Sequence, residues 1–227
     1  RGLVRLVRFE IGDEVYRQEN ATFRDAGRKI SSIRDRFSLL ETLEALQQEF
    51  NEQLYRKVFT DAEKNLKAEL NKLKTDSGDA RDRIEETRTM ILMAQERIED
   101  WPIRKKASFD ALEPGLKKIY RQGRQQYSLA LGEPAAENFH NWRKRVKYLW
   151  YQIRLLREAT WQPVMKKLAN EMHQLAGFLG DDHDLVTFQK AIENGKIVFK
   201  DDKSRQLLQA LLVRKSAELR NNAVEPA

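Results

Sequence analysis

Cysteine is absent from this chain of 227 residues, which excludes a disulfide framework, cysteine-based zinc sites and thiol catalysis. Glycine occurs only 10 times and proline only 5 times, while 34% of the residues are charged. This composition favours long polar helices over a turn-rich β fold. Long hydrophobic runs are missing too, because a charged residue interrupts every apolar stretch before it reaches about 18 residues. We therefore expect a soluble, all-α, cytoplasmic protein with no membrane-spanning segment.

Positive charge is concentrated in one part of the chain, whose formal net charge is +7. Residues 114–157 contain ten basic and two acidic side chains, a net charge of +8, so the other 183 residues sum to about −1. A surplus of one sign in one segment favours an acidic partner at that segment.

Hydrophobic residues recur with helical spacing along almost the whole chain. The periodicity predicts helices over 1–9, 12–30, 33–47, 50–74, 79–100, 108–131, 135–158, 163–179, 182–193 and 202–221. Gly180 is expected to end one helix. The aspartates that follow it, Asp181, Asp182 and Asp184, are expected to cap the next, because Asp accepts hydrogen bonds from the free N–H groups of a helix start.

An internal repeat aligns residues 1–43 with 150–192 at a constant offset of 149. In this alignment Arg5-Leu6-Val7-Arg8 falls on Arg154-Leu155-Leu156-Arg157, and Asp35 falls on Asp184. The repeat predicts one domain made of two related helical bundles, residues 1–105 and 106–227.

The repeat also bears on the beginning of the chain. The basic helix of the second copy starts near Phe139, so its counterpart would start roughly ten residues before Arg1. We therefore expect the chain to lack the start of its first helix.

One predicted helix, residues 135–158, has two contrasting faces. At about 100° per residue, one stripe is cationic; it contains His140, Arg143, Lys144, Lys147, Tyr151 and Arg154. The opposite side is apolar and contains Trp142, Val146, Leu149, Ile153 and Leu156. Two shorter stripes have the spacing i, i+4, i+7: Lys117, Arg121 and Arg124, and Arg1, Arg5 and Arg8. If the three stripes face one cleft, their fields add.

The cationic stripe needs compensation from outside its helix. No acidic residue lies between Asn138 and Arg157, and like charges at i,i+3 and i,i+4 repel by a few tenths of a kcal/mol per pair. Acidic side chains of another helix are one source of compensation, and a bound anion is the favoured one. His140 to Arg154 spans about 21 Å at ~1.5 Å per residue, a length that suits a chain of phosphates better than a single phosphate.

Several motifs resemble those of the conserved histidine α-helical domain family, abbreviated CHAD. The residues that carry the resemblance are His140-x-x-Arg143-Lys144-Arg145-x-Lys147-x-Leu149-x-Tyr151, Gly115-Leu116-x-x-x-Tyr120-Arg121-x-Gly123-Arg124, Leu179-Gly180-x-x-x-Asp184, Phe23-Arg24-Asp25-Ala26-x-Arg28 and Ile33-Arg34-Asp35. Almost the whole chain is covered. One departure is that the first copy has no His-x-x-Arg-Lys-Arg block.

The resemblance implies two pseudo-symmetric antiparallel bundles around a central basic cleft or pore that binds inorganic polyphosphate without catalysis, in the cytoplasm at polyphosphate granules. Together with the stripes it indicates these binding residues: His140, Arg143, Lys144, Lys147, Arg154, Lys117, Arg121, Arg124, Arg1, Arg5, Arg8 and Arg28. Sulfate and phosphate ions are further candidate ligands of the same cleft. No cofactor and no metal is expected.

Other functions are weighed against this one. A protein that binds the nucleic-acid backbone could use the same cations, but no recognition-helix or RNA-binding motif is present. A phosphohydrolase or phosphotransferase needs carboxylates that hold Mg²⁺, and the basic stripes contain none. His140, His173 and His183 with the aspartates after Gly180 could hold a metal, although capping is the favoured role of the aspartates. Trp142 is expected in the core, while Tyr148 and Tyr151 are left open between packing and stacking on bases.

Overall fold

A computed structural model describes residues 1–50, 56–75, 77–103, 108–156 and 162–225. Its helices are α1 (Gly2–Leu6), α2 (Arg8–Lys29), α3 (Ser31–Glu49), α4 (Arg56–Thr75), α5 (Ser77–Arg97), α6 (Phe109–Gly132), α7 (Ala136–Leu156), α8 (Gln162–Glu193) and α9 (Asp202–Val224). A 3-10 turn, Ile98–Asp100, follows α5. These residues contain no β-strand, which confirms the all-α class. None of the described helices is both long enough and apolar enough to cross a bilayer.

The first two helices meet differently from the prediction. α1 ends at Leu6 and α2 begins at Arg8, so the predicted helix over 1–9 is wrong in its last turn. Gly12 interrupts α2 with φ +81 and ψ 164, in the region where the expected break lies. Only glycine adopts such a backbone without steric cost, so this residue permits the change of direction.

The largest correction concerns α8, which runs unbroken through Gly180. Asp182 is 2% exposed, and it accepts hydrogen bonds from Ser216 Oγ and from Arg220 Nε of α9, the latter at 2.8 Å. The interpretation of Asp181–Asp184 as a helix cap is therefore wrong, because these residues lie inside a helix. Of the predicted helices, residues 51–55, 157 and 158 lie outside the described part.

Two compact units make up the chain, and each draws on separate stretches of sequence. Unit one contains Arg1–Lys29 and Glu85–Leu179, and unit two contains Ile30–Ile84 and Gly180–Ala227. The chain passes from unit one to unit two after residue 29 and again after residue 179. These two points are 150 positions apart, and the repeat offset is 149. The internal repeat, the halves 1–105 and 106–227 and their pseudo-symmetry stay predictions.

Unit one has a core in which α1 and α2 meet. Val4, Val7 and Ile11 are buried, and the partly buried side chains of Val15, Tyr16, Phe23, Trp101 and Leu112 pack against them. An ion pair ties α2 to α5: Arg97 donates to both carboxylate oxygens of Glu19 at 2.8 and 2.9 Å. The Glu19 side chain is 1% exposed, so this pair fixes the end of α5 against α2.

Unit two packs α4 against both α3 and α9. Its core includes Leu43 and Leu46 of α3, Phe59 and Ala62 of α4, and Leu208 and Leu212 of α9, all nearly inaccessible. Asp201 caps α9, since its carboxylate accepts from the Ser204 backbone N–H at 2.8 Å. Every residue predicted to bind polyphosphate belongs to unit one.

Candidate polyanion-binding site

The site is built on the helical hairpin of α6 and α7. Only residues 133–135 separate the two helices, so they run antiparallel as close neighbours. Tyr127 of α6 meets Trp142 of α7 with ring centroids 5.0 Å apart. A Cβ added to Gly123 of α6 would lie 3.8 Å from the Cβ of Arg145. The hairpin therefore fixes the α7 backbone relative to α6.

α1 packs closely against both helices of the hairpin. A Cβ on Gly115 of α6 would lie 2.0 Å from the carbonyl oxygen of Leu6, a distance that only glycine avoids without backbone movement. At the other end of α1, a Cβ on Gly2 would lie 3.3 Å from the Cβ of Tyr151 in α7. The buried Gln152 side chain donates to the carbonyl of Gly2 at 3.0 Å. These contacts set the position of α1 and hence of its arginines.

Four basic side chains meet where α1 lies against α7, and we call them the α1/α7 cluster: Arg1, Arg5, Lys144 and Arg145. The Cζ of Arg5 stands 4.2 Å above the ring of Tyr148, and its guanidinium donates to the carbonyl of Arg1 at 3.1 Å. Arg1 donates to Asn20 of α2 at 3.2 Å. Within the described residues, none of the four forms an ion pair with a carboxylate. Arg1 and Arg5 are thus held by aromatic and neutral oxygen partners.

The four charges act on one another. Burial lowers the pKa of the Lys144 ammonium most, and Arg145 lowers it further; Glu137 opposes this effect, and Arg1 adds a smaller lowering. Burial also lowers the pKa of Arg5, where the rings of Tyr148 and Tyr16 oppose the effects of Arg1 and Arg145. A lowered pKa in a base means that its charged form is destabilised by its surroundings. A bound anion would remove that destabilisation.

The two faces of α7 agree with the prediction. Trp142, Val146, Ile153 and Leu156 are buried, while Leu149 is half-buried. On the other face His140, Arg143 and Lys147 are half-buried and Arg154 is exposed. The Cζ of Arg154 lies 5.7 Å from the ring centroid of Trp150.

The structure shows the surroundings of Tyr148 and Tyr151, whose roles the sequence did not decide. Tyr148 lies under the guanidinium of Arg5. Tyr151 is 42% exposed and contacts the ring of Trp150 at 4.7 Å. Tyr148 therefore acts as a support for a cluster arginine.

Arg8 and Arg28 lie apart from the predicted stripe. α1 ends before Arg8, which pairs with Asp13 at 2.8 Å and stands 4.4 Å above the ring of Tyr16. The i, i+4, i+7 stripe with Arg1 and Arg5 is consequently not continuous. Arg28, 71% exposed near the end of α2, lies 3.6 Å from Asp25.

Asp25 is shared with a second arginine. It pairs with Arg24 at 2.8 Å, and this hydrogen bond, followed by the charges of Arg24, Arg28 and Arg1, lowers its pKa. Arg1 is thus close enough to this part of α2 for its charge to lower the pKa of Asp25.

The basic stripe of α6 lies on the side of that helix away from α1 and α7. The face of α6 that meets α1 and α7 contains Gly115, Ile119, Gly123, Tyr127 and Ala130. At about 100° per residue, Lys117, Arg121 and Arg124 lie roughly 150° from the middle of that face. Lys117 also pairs with Glu113 at 2.6 Å. Within unit one, the stripe of α6 therefore does not share a cleft with the α1/α7 cluster.

Two cations of this region were not among the predicted site residues. Arg145 lies outside the 100° stripe of α7, yet its charge acts on Arg5 and on Lys144, so it belongs to the cluster. Lys118 lies beside the α6 stripe, with its Nζ 5.6 Å from the ring centroid of Phe9. The unbroken run Arg143-Lys144-Arg145 is the sequence signal that could have identified Arg145. Nothing comparable singles out Lys118.

The histidines weighed as metal ligands have other surroundings. His173 stacks on Trp150 with centroids 4.7 Å apart and ring planes 7° from parallel. Asp182 is engaged by Ser216 and Arg220. Over the described ranges, no group of three or more His, Asp and Glu side chains has the arrangement of a metal site.

Comparison with known families gives one result. A family model described as the CHAD domain matches residues 1–193. Searches among curated proteins and among solved structures found no match.

Proposed function

The chain belongs to the CHAD domain family, and on that basis we propose that it binds inorganic polyphosphate without chemical conversion, through the α1/α7 cluster and the basic face of α7. The observation that supports this most is the gathering of Arg1, Arg5, Lys144 and Arg145 at one helix contact. The charges of Arg1 and Arg145 contribute to the lowered pKa of Arg5 and of Lys144, and a polyanion supplies the missing negative charge. The same family membership favours a cytoplasmic location at polyphosphate granules.

The chemistry of the cluster suits phosphate. Arginine offers a planar fork of N–H donors that binds two phosphate oxygens at once, while lysine acts as a mobile point charge. Arg5 is pre-oriented by the ring of Tyr148, so less conformational freedom is lost when it binds. Along α7, His140, Arg143, Lys147 and Arg154 continue the positive surface over about 21 Å at ~1.5 Å per residue. Successive phosphates of one chain can therefore be bound together.

Binding of this kind has a recognisable thermodynamic signature. Each phosphate contact releases counter-ions, so the affinity should fall steeply and linearly on a double logarithmic plot against salt. A long chain makes more contacts than pyrophosphate and should bind more tightly. Isothermal titration with chains of defined length, each at several salt concentrations, measures both trends. Equal affinity for pyrophosphate and a long chain would refute the proposal.

A matched pair of variants locates the site. Lys144→Glu with Arg145→Glu reverses two cluster charges and should reduce the affinity at least tenfold, the effect of about 1.4 kcal/mol. Lys166→Glu with Lys167→Glu makes the same change of charge on exposed positions of α8 and should have a much smaller effect. If both variants weaken binding equally, the protein attracts polyphosphate through net charge alone.

Two alternatives are tested in the same experiments. A nucleic acid that displaces polyphosphate at equal phosphate concentration would favour a backbone-binding protein. Loss of polyphosphate during incubation with Mg²⁺ or Mn²⁺ would favour an enzyme. We expect neither, because the cluster contains cations without the paired carboxylates that hold a catalytic metal.

A further inference from the structure

The outer surface of α6 is a second concentration of positive charge in unit one, and we define it by Lys117, Lys118, Arg121 and Arg124. We propose that this α6 outer surface binds a second polyphosphate chain, independently of the α1/α7 cluster, so that one protein molecule holds two chains at once. The inference rests on the proposed function, since it assumes the same class of ligand. It adds a second site and a consequence, the cross-linking of long chains.

The position of this surface separates it from the cluster. Gly115 and Gly123 face α1 and α7 at distances that leave no space for a ligand. Arg121 and Arg124 are exposed and project roughly 150° away from those contacts, at about 100° per residue. A short chain bound at the cluster would have to pass around a helix about 10–12 Å wide to reach them. The two surfaces are therefore occupied by different short ligands.

The charge of this surface is weakly compensated. Among the described residues, the carboxylate that forms an ion pair with one of these four cations is Glu113, which lies 2.6 Å from Lys117. The two side chains of this pair are 60% and 41% exposed, and an ion pair so exposed to water is weak. A phosphate can replace Glu113 as the partner of Lys117. Within the described residues, Arg121 and Arg124 form no ion pair, so their donors are available to phosphate oxygens.

A pocket of about 460 Å³ lies along one edge of this surface, between α6 and the start of α2. Its walls include Phe9, Lys118, Arg121, Gln122 and Gln125. The volume falls in the range of small-molecule sites. Three cations, Lys117, Lys118 and Arg121, and two amide groups supply donors along its length, and Glu113 is the one carboxylate among the lining residues. Phe9, which is 53% exposed, holds Lys118 above its ring. The pocket gives the bound chain a defined path instead of a flat surface.

Two separate sites change what the protein does with long chains. A molecule with one site coats a chain, whereas a molecule with two sites links one chain to another and raises the effective concentration of each. Mixtures with long polyphosphate should then form large assemblies near charge balance. Those assemblies should dissolve as salt releases the phosphate contacts.

Stoichiometry tests the inference directly. Isothermal titration with a chain of a few phosphates, shorter than the width of a helix, should give two bound chains per wild-type protein. Arg121→Glu with Arg124→Glu should leave one, and Lys144→Glu with Arg145→Glu should also leave one. Light scattering with long polyphosphate should show assemblies for the wild type and at least a tenfold lower signal for either double variant. Helicity and Tm, measured for each variant, establish that it is folded, and glutamine in place of glutamate at the same two positions replaces any double variant that is not.

The outcomes separate this inference from the proposed function. One bound chain in the wild type, unchanged in the α6 variant, overturns the second site and leaves polyphosphate binding at the cluster intact. Loss of both chains in the cluster variant also overturns it, because the α6 outer surface would then not bind independently. No binding of any chain by the wild type overturns the proposed function itself.

Discussion

Replacing Lys144 by glutamine should make the free protein more stable and its binding of polyphosphate weaker. The ammonium of Lys144 is half-buried, and its pKa is lowered by burial and then by Arg145, against the opposing effect of Glu137 and with a smaller contribution from Arg1. Glutamine keeps most of the aliphatic stem and removes the charge. The folded protein thus loses an unfavourable interaction, while the ligand loses a partner.

The size of the effect follows from the neighbours of Lys144. Repulsion between partly exposed like charges amounts to a few tenths of a kcal/mol per pair. Partial burial and the repulsion by Arg145 and Arg1, reduced by the attraction of Glu137, together give about 0.5–1 kcal/mol. For a chain of this length, 1 kcal/mol corresponds to roughly 2–4 °C in Tm, so Lys144→Gln should raise Tm by about 1–4 °C.

The pH dependence has a definite sign. Because the pKa of Lys144 is lower in the folded protein than its ordinary value of 10.5, the unfolded chain holds this proton more tightly. The destabilisation is fully present below the folded-state pKa and disappears as the pH rises from that value towards 10.5. The wild type should gain this increment of stability over the alkaline interval, and Lys144→Gln should not.

Three measurements check this prediction: the Tm of the free protein, the Tm with saturating polyphosphate, and the affinity by titration. A ligand at 100 times its Kd stabilises the folded protein by about 2.7 kcal/mol, and this gain should shrink in the variant. Lys166→Gln is the control, because it removes the same charge from an exposed position of α8 and should change stability by less than about 0.5 kcal/mol. A lower Tm for Lys144→Gln, or unchanged affinity, would refute the reasoning.

Two further predictions concern the parts of unit one that hold the site in place. Arg97→Met leaves Glu19, 1% exposed, without its partner and should lower the free energy of unfolding, measured in urea, by about 3–5 kcal/mol. Adding Glu19→Leu should recover most of this loss. A double variant as unstable as the single one would count against the charge argument. Gly115→Ala places a Cβ 2.0 Å from the Leu6 carbonyl oxygen, so it should lower Tm by circular dichroism and weaken polyphosphate binding together, because α1 must move. Gly177→Ala is its control, since the added Cβ meets nothing within 4 Å, and full binding by Gly115→Ala would mean that α1 does not position the cations.

The helical class and the two faces of α7 could be predicted because both depend on local spacing. A helix repeats every 3.6 residues, so the positions of Trp142, Val146, Ile153 and Leu156 assign a buried face without knowledge of the rest of the chain. The cations on the other face follow from the same spacing. Which other helices approach that face does not follow from it, because it depends on contacts far apart in sequence.

The continuity of α8 illustrates what local signals miss. A glycine inside a helix costs about 1 kcal/mol relative to alanine, which makes Gly180 a reasonable place for a break. The structure offsets that cost by contacts between Asp182 and α9, whose partners Ser216 and Arg220 are 34 and 38 residues away. The sequence around Gly180 carries no sign of those partners, so the aspartates look like capping residues.

The candidate site shows the same division between local and distant causes. Arg5 and Lys144 were recognised from their own helices, but the position of α1 beside α7 depends on Gly115 and Gly2, which let the backbone of α1 approach α6 and α7. Uncharged contacts therefore hold together cations that repel one another. A protein selected for stability alone would gain by losing one of these charges, as Lys144→Gln tests. Binding of a polyanion would require all four cations at this helix contact. The ligand would then supply the negative charge that the described part of the fold does not provide through ion pairs.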